Sequence, residues 1–145
     1  MAEQTTERTH VDASPERCFE VAADFEQYPE WAKDVKDVKV VDRDDQGRPH
    51  HVEYRAAAMG RSVTYTLEYD YSDAPGAFSW TLVSGDLMKR LDGTYRFDAD
   101  GDGTRVTYEL SVDLALPLPG LVKRRAEGRI VGSALKELKK QVESG

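Results

Sequence analysis

From residue 35 to 116 apolar and polar side chains alternate with a period of two, interrupted only by short polar, glycine- or proline-containing turns. The clearest run sets Val63, Tyr65, Leu67, Tyr69 and Tyr71 against Ser62, Thr64, Thr66, Glu68 and Asp70. Successive side chains of a strand leave on opposite faces, so each such run is a strand with one apolar and one wet face. Val38 and Val40 belong to the first; Val52, Tyr54, Ala56 and Ala58 to the second. Phe78, Trp80 and Leu82 follow, then Leu91, Gly93, Tyr95 and Phe97, then Val106, Tyr108, Leu110, Val112 and Leu114. Turns fall at 42–47, at Met59–Gly60, at 74–76, at 83–86 and after Asp98. Six strands joined this way predict an antiparallel meander, and TTERTHV (5–11) predicts a further strand ahead of it.

Two helical regions frame the strands. Ser14, Pro15 and Glu16 are an N-cap, a first-turn proline and a first-turn acid, and Cys18, Val21, Ala22 and Phe25 repeat at helical spacing. Pro29 lacks an N–H and restricts Tyr28, so 25–33 reads as a helix end, a turn and a second short helix. After LPLPG (116–120) a helix is predicted over about 119–143, with a stripe of Arg124, Gly128, Val131, Leu135, Leu138 and Val142. The fold class is α+β: a curved seven-stranded antiparallel sheet wrapped around a long C-terminal helix, with two short helices after the first strand. The whole chain, 1–145, reads as one domain.

Composition narrows the partners. The net charge of −7 opposes general nucleic-acid binding, which needs Lys and Arg to displace counterions. Residues 1–120 hold 13 basic against 24 acidic side chains, a balance of −11, whereas 121–145 hold 7 against 3, a balance of +4. The basic side chains Arg125, Arg129, Lys136 and Lys140 share one helix face, which reads either as a solvated face or as at most a peripheral contact with an anionic membrane. Cys18 stands alone, so no intrachain disulfide forms. With no long apolar run and no apolar leader in MAEQTTERTH, a cytoplasmic monomer or weak dimer is expected.

One helix is too narrow to cover an apolar sheet face of seven strands. ADFEQYPEWAKDV (23–35), with Phe25, Tyr28 and Trp31 around a proline, is the segment available to close what the helix leaves open. The large inward residues Tyr54, Tyr65, Trp80, Tyr95 and Tyr108, with small Ala56, Ala58 and Gly128, read as a cavity lining; a packed core in which small residues match large ones is the alternative. The full candidate lining adds Trp31 from the aromatic segment, Leu67, Leu82 and Leu110 from the sheet, and Arg124 and Val131 from the C-terminal helix. Arg124, the one charge on the apolar stripe, either snorkels to solvent or holds an acidic group of a ligand at the cavity mouth.

Other motifs carry less. DADGDGTRVTYE (98–109) matches a calcium-loop spacing, but period-two segments rather than helices flank it, and Glu109 falls on the wet face, so a hairpin turn is expected. His50 and His51 are adjacent in a strand and are expected on opposite faces, unable to hold a metal together; neither metal nor cofactor is expected. Cys18 reads as a small buried residue.

The order of DFEQYPEW, VKDVKVVDRD, GTYRF, GDGTRVTYEL and LPLPG before the last helix resembles the START-like superfamily with its helix-grip fold. It is similar to the bacterial polyketide cyclase/dehydrase and coenzyme Q-binding branch over residues 5–143. The resemblance implies a hydrophobic cavity between sheet and C-terminal helix, holding a lipid, polyketide, quinone or similar small molecule. Members include enzymes, carriers and regulatory binders, so three functions are open: binding and transfer of a hydrophobic molecule, a polyketide aromatase/cyclase or dehydratase, and a regulator that binds a macromolecule. No catalytic residue is assigned, because an ordinary tyrosine is a poor base at neutral pH.

Overall fold

The alternating runs form one antiparallel sheet in the computed structural model, which describes residues 3–58, 61–115 and 119–144. The side chains of Glu3, Ala58, Leu114, 121–124, Ala126 and Glu127 fall outside that description, as do the expected turn at Met59–Gly60 and residues 116–118. In chain order the elements are β1 (Glu3–Val11), α1 (Pro15–Ala23), a 3₁₀ turn (Phe25–Gln27), α2 (Tyr28–Trp31), β2 (Val35–Arg43), β3 (Pro49–Ala58), β4 (Arg61–Asp70), β5 (Ala77–Gly85), β6 (Met88–Asp100), β7 (Gly103–Leu114) and α3 (Gly120–Ser144).

The sheet order is β1-β7-β6-β5-β4-β3-β2, so the meander runs from β2 to β7 and β1 adds to its far edge. Tyr54 pairs with Tyr65, Leu67 with Leu82, Phe78 with Tyr95, and Tyr95 with Tyr108. The register therefore puts the apolar residues of neighbouring strands on one face. β6 and β7 meet in a hairpin at Gly101–Asp102, with strand on both sides of the acidic loop and Gly101 in the left-handed region at φ 62°. Residues 98–109 thus lack the flanking helices a calcium loop needs.

The α1 cap forms as its residues require: Ser14 Oγ accepts from the Arg17 N–H at 3.2 Å, and Pro15 occupies the first turn. Cys18, Val21 and Ala22 are buried, and burial pushes the Cys18 thiol up. The helix α3 runs closest to β1 and β7 and buries Val131, Leu135, Leu138 and Val142. Each such side chain contributes about 1.5–3 kcal/mol when taken fully out of water. Phe25 is buried, and Tyr28 and Trp31 are half-buried against the β2–β4 half of the sheet, which lies away from α3.

Gly93 shows how tightly the middle of the concave face is filled. A Cβ there would run into the Trp80 ring and stand 2.8 Å from the Glu109 carbonyl oxygen. The backbone oxygen cannot yield as a flexible side chain would, so Gly93→Ala overpacks the site. We expect a loss of about 2 kcal/mol, read as a thermal midpoint lowered by about 4–8 °C. An unchanged or higher midpoint would show that the indole has room to move aside.

His10, near the end of β1, places Nδ1 3.0 Å from Asp100 and Nε2 3.1 Å from Asp12. Lys139 donates to the His10 carbonyl and to Glu143, and Arg105 lies 4.0 Å from Asp100. The Asp100 hydrogen bond, helped by Asp12 and opposed by desolvation, raises His10 above its usual 6.5. A raised histidine stabilises fully below the unfolded value, and that contribution is lost as pH climbs through the folded one. The stability gap between wild type and His10→Gln should therefore narrow as pH rises from below the ordinary value of 6.5 through the raised folded one. Urea midpoints that keep a constant gap across that window would rule out the linkage.

Candidate functional site

Most of the expected lining residues do meet. On β3 and β4, Tyr54 stacks on Tyr65 with centroids 5.3 Å apart, and its hydroxyl is 2.5 Å from that of Tyr69. On β5 to β7, Trp80, Tyr95 and Tyr108 form a triangle with centroids 4.6 to 5.7 Å apart. Tyr69 joins the two groups, 6.0 Å from Trp80. Trp31 reaches them through Tyr28, 4.8 Å from Trp31 and 6.3 Å from Tyr54. Phe25 stacks on Tyr69 at 4.1 Å, and Tyr28 donates its hydroxyl to the Ala22 carbonyl. The Lys33 N–H donates to Glu137 at 2.8 Å, which anchors the end of this segment to α3.

Ala56, Leu67 and Leu110 are buried on the same face, and Val131 is fully buried on α3. Gly128 is half-buried, and among the described residues no atom lies within 4 Å of where a Cβ would stand. The side chain of Arg124 lies outside the described residues. Tyr28 and Tyr69 were not among the expected lining residues, although Tyr69 shares the parity of Tyr65 and Tyr28 sits in the aromatic segment.

Packing is uneven along the concave face. One end is sealed by Val11, Phe25, Phe78, Phe97, Val106 and Leu138, each at most 4% exposed. At the other end Tyr65, Leu82, Met88 and Leu91 point inward by register, yet all stay half-buried. That end lies beside the β5–β6 turn, where Gly85 is close to Tyr65, Leu82 and Met88. It is where inward-facing apolar side chains packed on the core keep part of their surface exposed.

The phenols set the chemistry. Burial raises Tyr28, Tyr54, Tyr69 and Tyr95 well above the ordinary tyrosine value, and raises Tyr108 as well. Burial, with Asp34 adding, pushes Tyr65 up to about 12. These groups stay neutral at physiological pH and act as hydrogen-bond donors and acceptors, not as bases.

Two surface hollows exist elsewhere. One of about 280 Å³ lies on the outer face, over Ser79, Thr81, Asp92, Thr94 and Glu109. Another of about 350 Å³ lies among α1, α2 and α3, where Val21 and the expected lining residue Trp31 meet Arg17, Glu20, Glu30 and Gln141. Both are rimmed by polar and charged side chains, unlike the concave face.

The adjacent histidines overturn an expectation. His50 and His51 were expected on opposite faces and unable to share a metal, but their ring centroids lie 4.3 Å apart and both rings reach Asp42. The cause is a register shift: Asp42 pairs with His51 and Arg43 with Pro49, so His50 falls between pairs and leaves the strict alternation.

Comparison with known proteins agrees with this architecture. A START superfamily protein from Mycobacterium smegmatis superposes with a TM-score of 0.90 at 25% identity, covering 97% of each chain. A protein from Thermus thermophilus gives 0.82 at 28% identity, again with 97% of each chain. The Zhui aromatase/cyclase from Streptomyces sp. R1128 gives 0.86 at 14% identity, covering 99% of this chain and 94% of its own, a likeness of fold. No curated protein sequence matches significantly. The family described as polyketide cyclase/dehydrase and lipid transport matches residues 2–143, and this chain, with its curved sheet, short helices and gripped C-terminal helix, belongs to it.

Proposed function

We propose that the chain acts as a single ligand-binding domain, taking a lipid, quinone or polyketide between the concave face and the N-terminal half of α3. The observation that carries this is the uneven packing: inward-facing Tyr65, Leu82, Met88 and Leu91 keep exposed surface beside neutral, buried phenols. An apolar wall with a few hydroxyls suits a greasy molecule bearing a carbonyl or hydroxyl. The family to which the chain belongs includes lipid transport in its description, which supports the same class of ligand.

The aromatase/cyclase reading draws on the fold shared with the Streptomyces enzyme. It requires a group that moves protons, and the raised phenols are poor candidates for that role. Binding, with transfer or presentation, is therefore the function assigned. Arg125, Arg129, Lys136 and Lys140 are exposed, and no helix among the described residues is long and apolar enough to cross a membrane. Contact with a lipid surface would be peripheral.

Native mass spectrometry of protein purified from its own host should show a co-purified hydrophobic molecule; a cyclised aromatic product would instead favour the enzyme. Gly128→Leu should fill the space next to the helix and weaken binding of a fluorescent apolar probe by at least about tenfold. The thermal midpoint should hold or rise, because leucine favours helix over glycine by nearly 1 kcal/mol. Undiminished probe binding in that variant would remove the site from this face. Arg124→Ala should weaken a carboxylate-bearing probe while sparing a neutral one of the same shape. Equal losses for both probes would return Arg124 to a solvent role.

A further inference from the structure

The wet face of β2, β3 and β4 carries a second cluster, on the opposite side of the sheet from the phenols. His51 stands in register with Asp42 on β2 and Glu68 on β4. Its Nδ1 is 2.9 Å from Asp42 Oδ1, and its Nε2 is 3.0 Å from Glu68 Oε1. His50, displaced from the ladder, brings its own Nδ1 to 3.8 Å from the same Asp42 oxygen. Ligating atoms of Asp42, His50 and His51 all lie within 4.8 Å of one another.

We infer that Asp42, His50 and His51 form a binding site for a divalent transition-metal ion of the zinc class, with Glu68 as the outer carboxylate that orients His51. Nitrogen and oxygen ligands about 2.0–2.2 Å from a tetrahedral ion stand about 3.4 Å from one another. The two imidazole contacts of Asp42 Oδ1, at 2.9 and 3.8 Å, bracket that length, and the His51 backbone N–H donates to the same oxygen at 3.0 Å, so small rotations of the rings about a held carboxylate seat an ion. Two imidazoles and one carboxylate suit zinc, nickel, copper or cobalt, and suit magnesium or calcium poorly.

The Glu68 contact is an independent feature of a metal site. A ligating histidine commonly donates its other ring N–H to a carboxylate, which fixes the tautomer and turns the free nitrogen toward the ion. Here His51 Nε2 lies 3.0 Å from Glu68 Oε1, while Nδ1 lies 2.9 and 3.0 Å from the two Asp42 carboxylate oxygens; in the tautomer that donates to Glu68, the Nδ1 lone pair is free for an ion shared with Asp42. The side chains of Asp42, His50 and His51 are 52%, 39% and 26% exposed, so an ion reaches the site without any opening of the fold. Three protein ligands leave at least one position for water.

The test uses tag-free, full-length protein stripped with a chelator and dialysed. Calorimetric titration with zinc chloride should show one equivalent bound, and cobalt chloride should give the visible absorption of a low-coordinate Co²⁺ site. Glu68→Gln should weaken zinc binding by about 10–100-fold. His50→Ala and His51→Ala should each weaken it at least as much, while His10→Ala should leave it unchanged. His50→Ala is the decisive variant, since its carboxylate contacts at 3.8 and 3.9 Å are beyond hydrogen-bond reach, so its removal should leave the fold intact. A melting curve of the metal-free variant checks this. Absence of zinc or cobalt binding at millimolar ion would overturn the inference. So would one-equivalent binding that persists undiminished in a normally melting His50→Ala protein.

Discussion

Width is the constraint on which the rest of the structure depends. Six inter-strand spacings make the sheet roughly 29 Å across, while a helix with its side chains is about 10–12 Å wide. A single helix cannot cover a face nearly three times its own width. α3 settles along β1 and β7, at one side of the sheet. The β2–β4 side is roofed by the 3₁₀ turn and α2, whose Phe25 and Tyr28 rings lie over Tyr69 and Tyr54. Tyr65, Leu82, Met88 and Leu91 stay half-buried between these two covers, and they mark the candidate site.

The same geometry decides what kind of chemistry the site suits. Phenols enclosed by other rings lose hydration of the phenolate more than of the phenol, so their protons are held more tightly. At a value of about 12, as for Tyr65, roughly one molecule in 10⁵ is ionised near neutral pH. Tyr54 and Tyr69 satisfy one another across 2.5 Å, which leaves only part of their hydrogen-bonding capacity for a guest. Such a surface offers shape and a few neutral hydroxyls rather than a group poised to take a proton. The apolar character of the face and the raised phenols therefore follow from one cause, burial among aromatic rings.

Much of this was legible in the residue pattern because sheet and helix periods differ so plainly. The runs through Val63–Tyr71 and Val106–Leu114 show their inward side without ambiguity, and Ser14–Pro15–Glu16 marks the start of α1. The partner of β1 was not legible: TTERTHV has weak alternation, and its place against β7 depends on contacts 90 or more residues away, such as His10 with Asp100. The segment around Pro29 announced a cover but not its location, since an irregular backbone has no periodicity to project. His50 defeated the parity rule because that rule assumes an unbroken ladder, and the shift between Asp42 and Arg43 leaves no mark in composition. Arg124 stands out in the sequence as a charge on an apolar stripe, but its placement belongs to side chains beyond those described.

The two faces of β3 and β4 are mechanically one object. Tyr54 lies three residues from His51 on β3, and Tyr69 follows Glu68 directly on β4. His51 paired with Glu68 and Tyr54 paired with Tyr65 are rungs of the same ladder. A slip of one residue between these strands would carry every side chain of the moved strand to the other face. An ion held by Asp42, His50 and His51 would oppose any slip of β2 against β3, and Glu68 would extend that restraint to β4 through His51. Restraint on the wet side thus holds the register of Tyr54, Tyr65 and Tyr69 on the dry side. The sheet half farthest from α3, which lacks a long helix to brace it, is the half where such a clip has the most to stabilise.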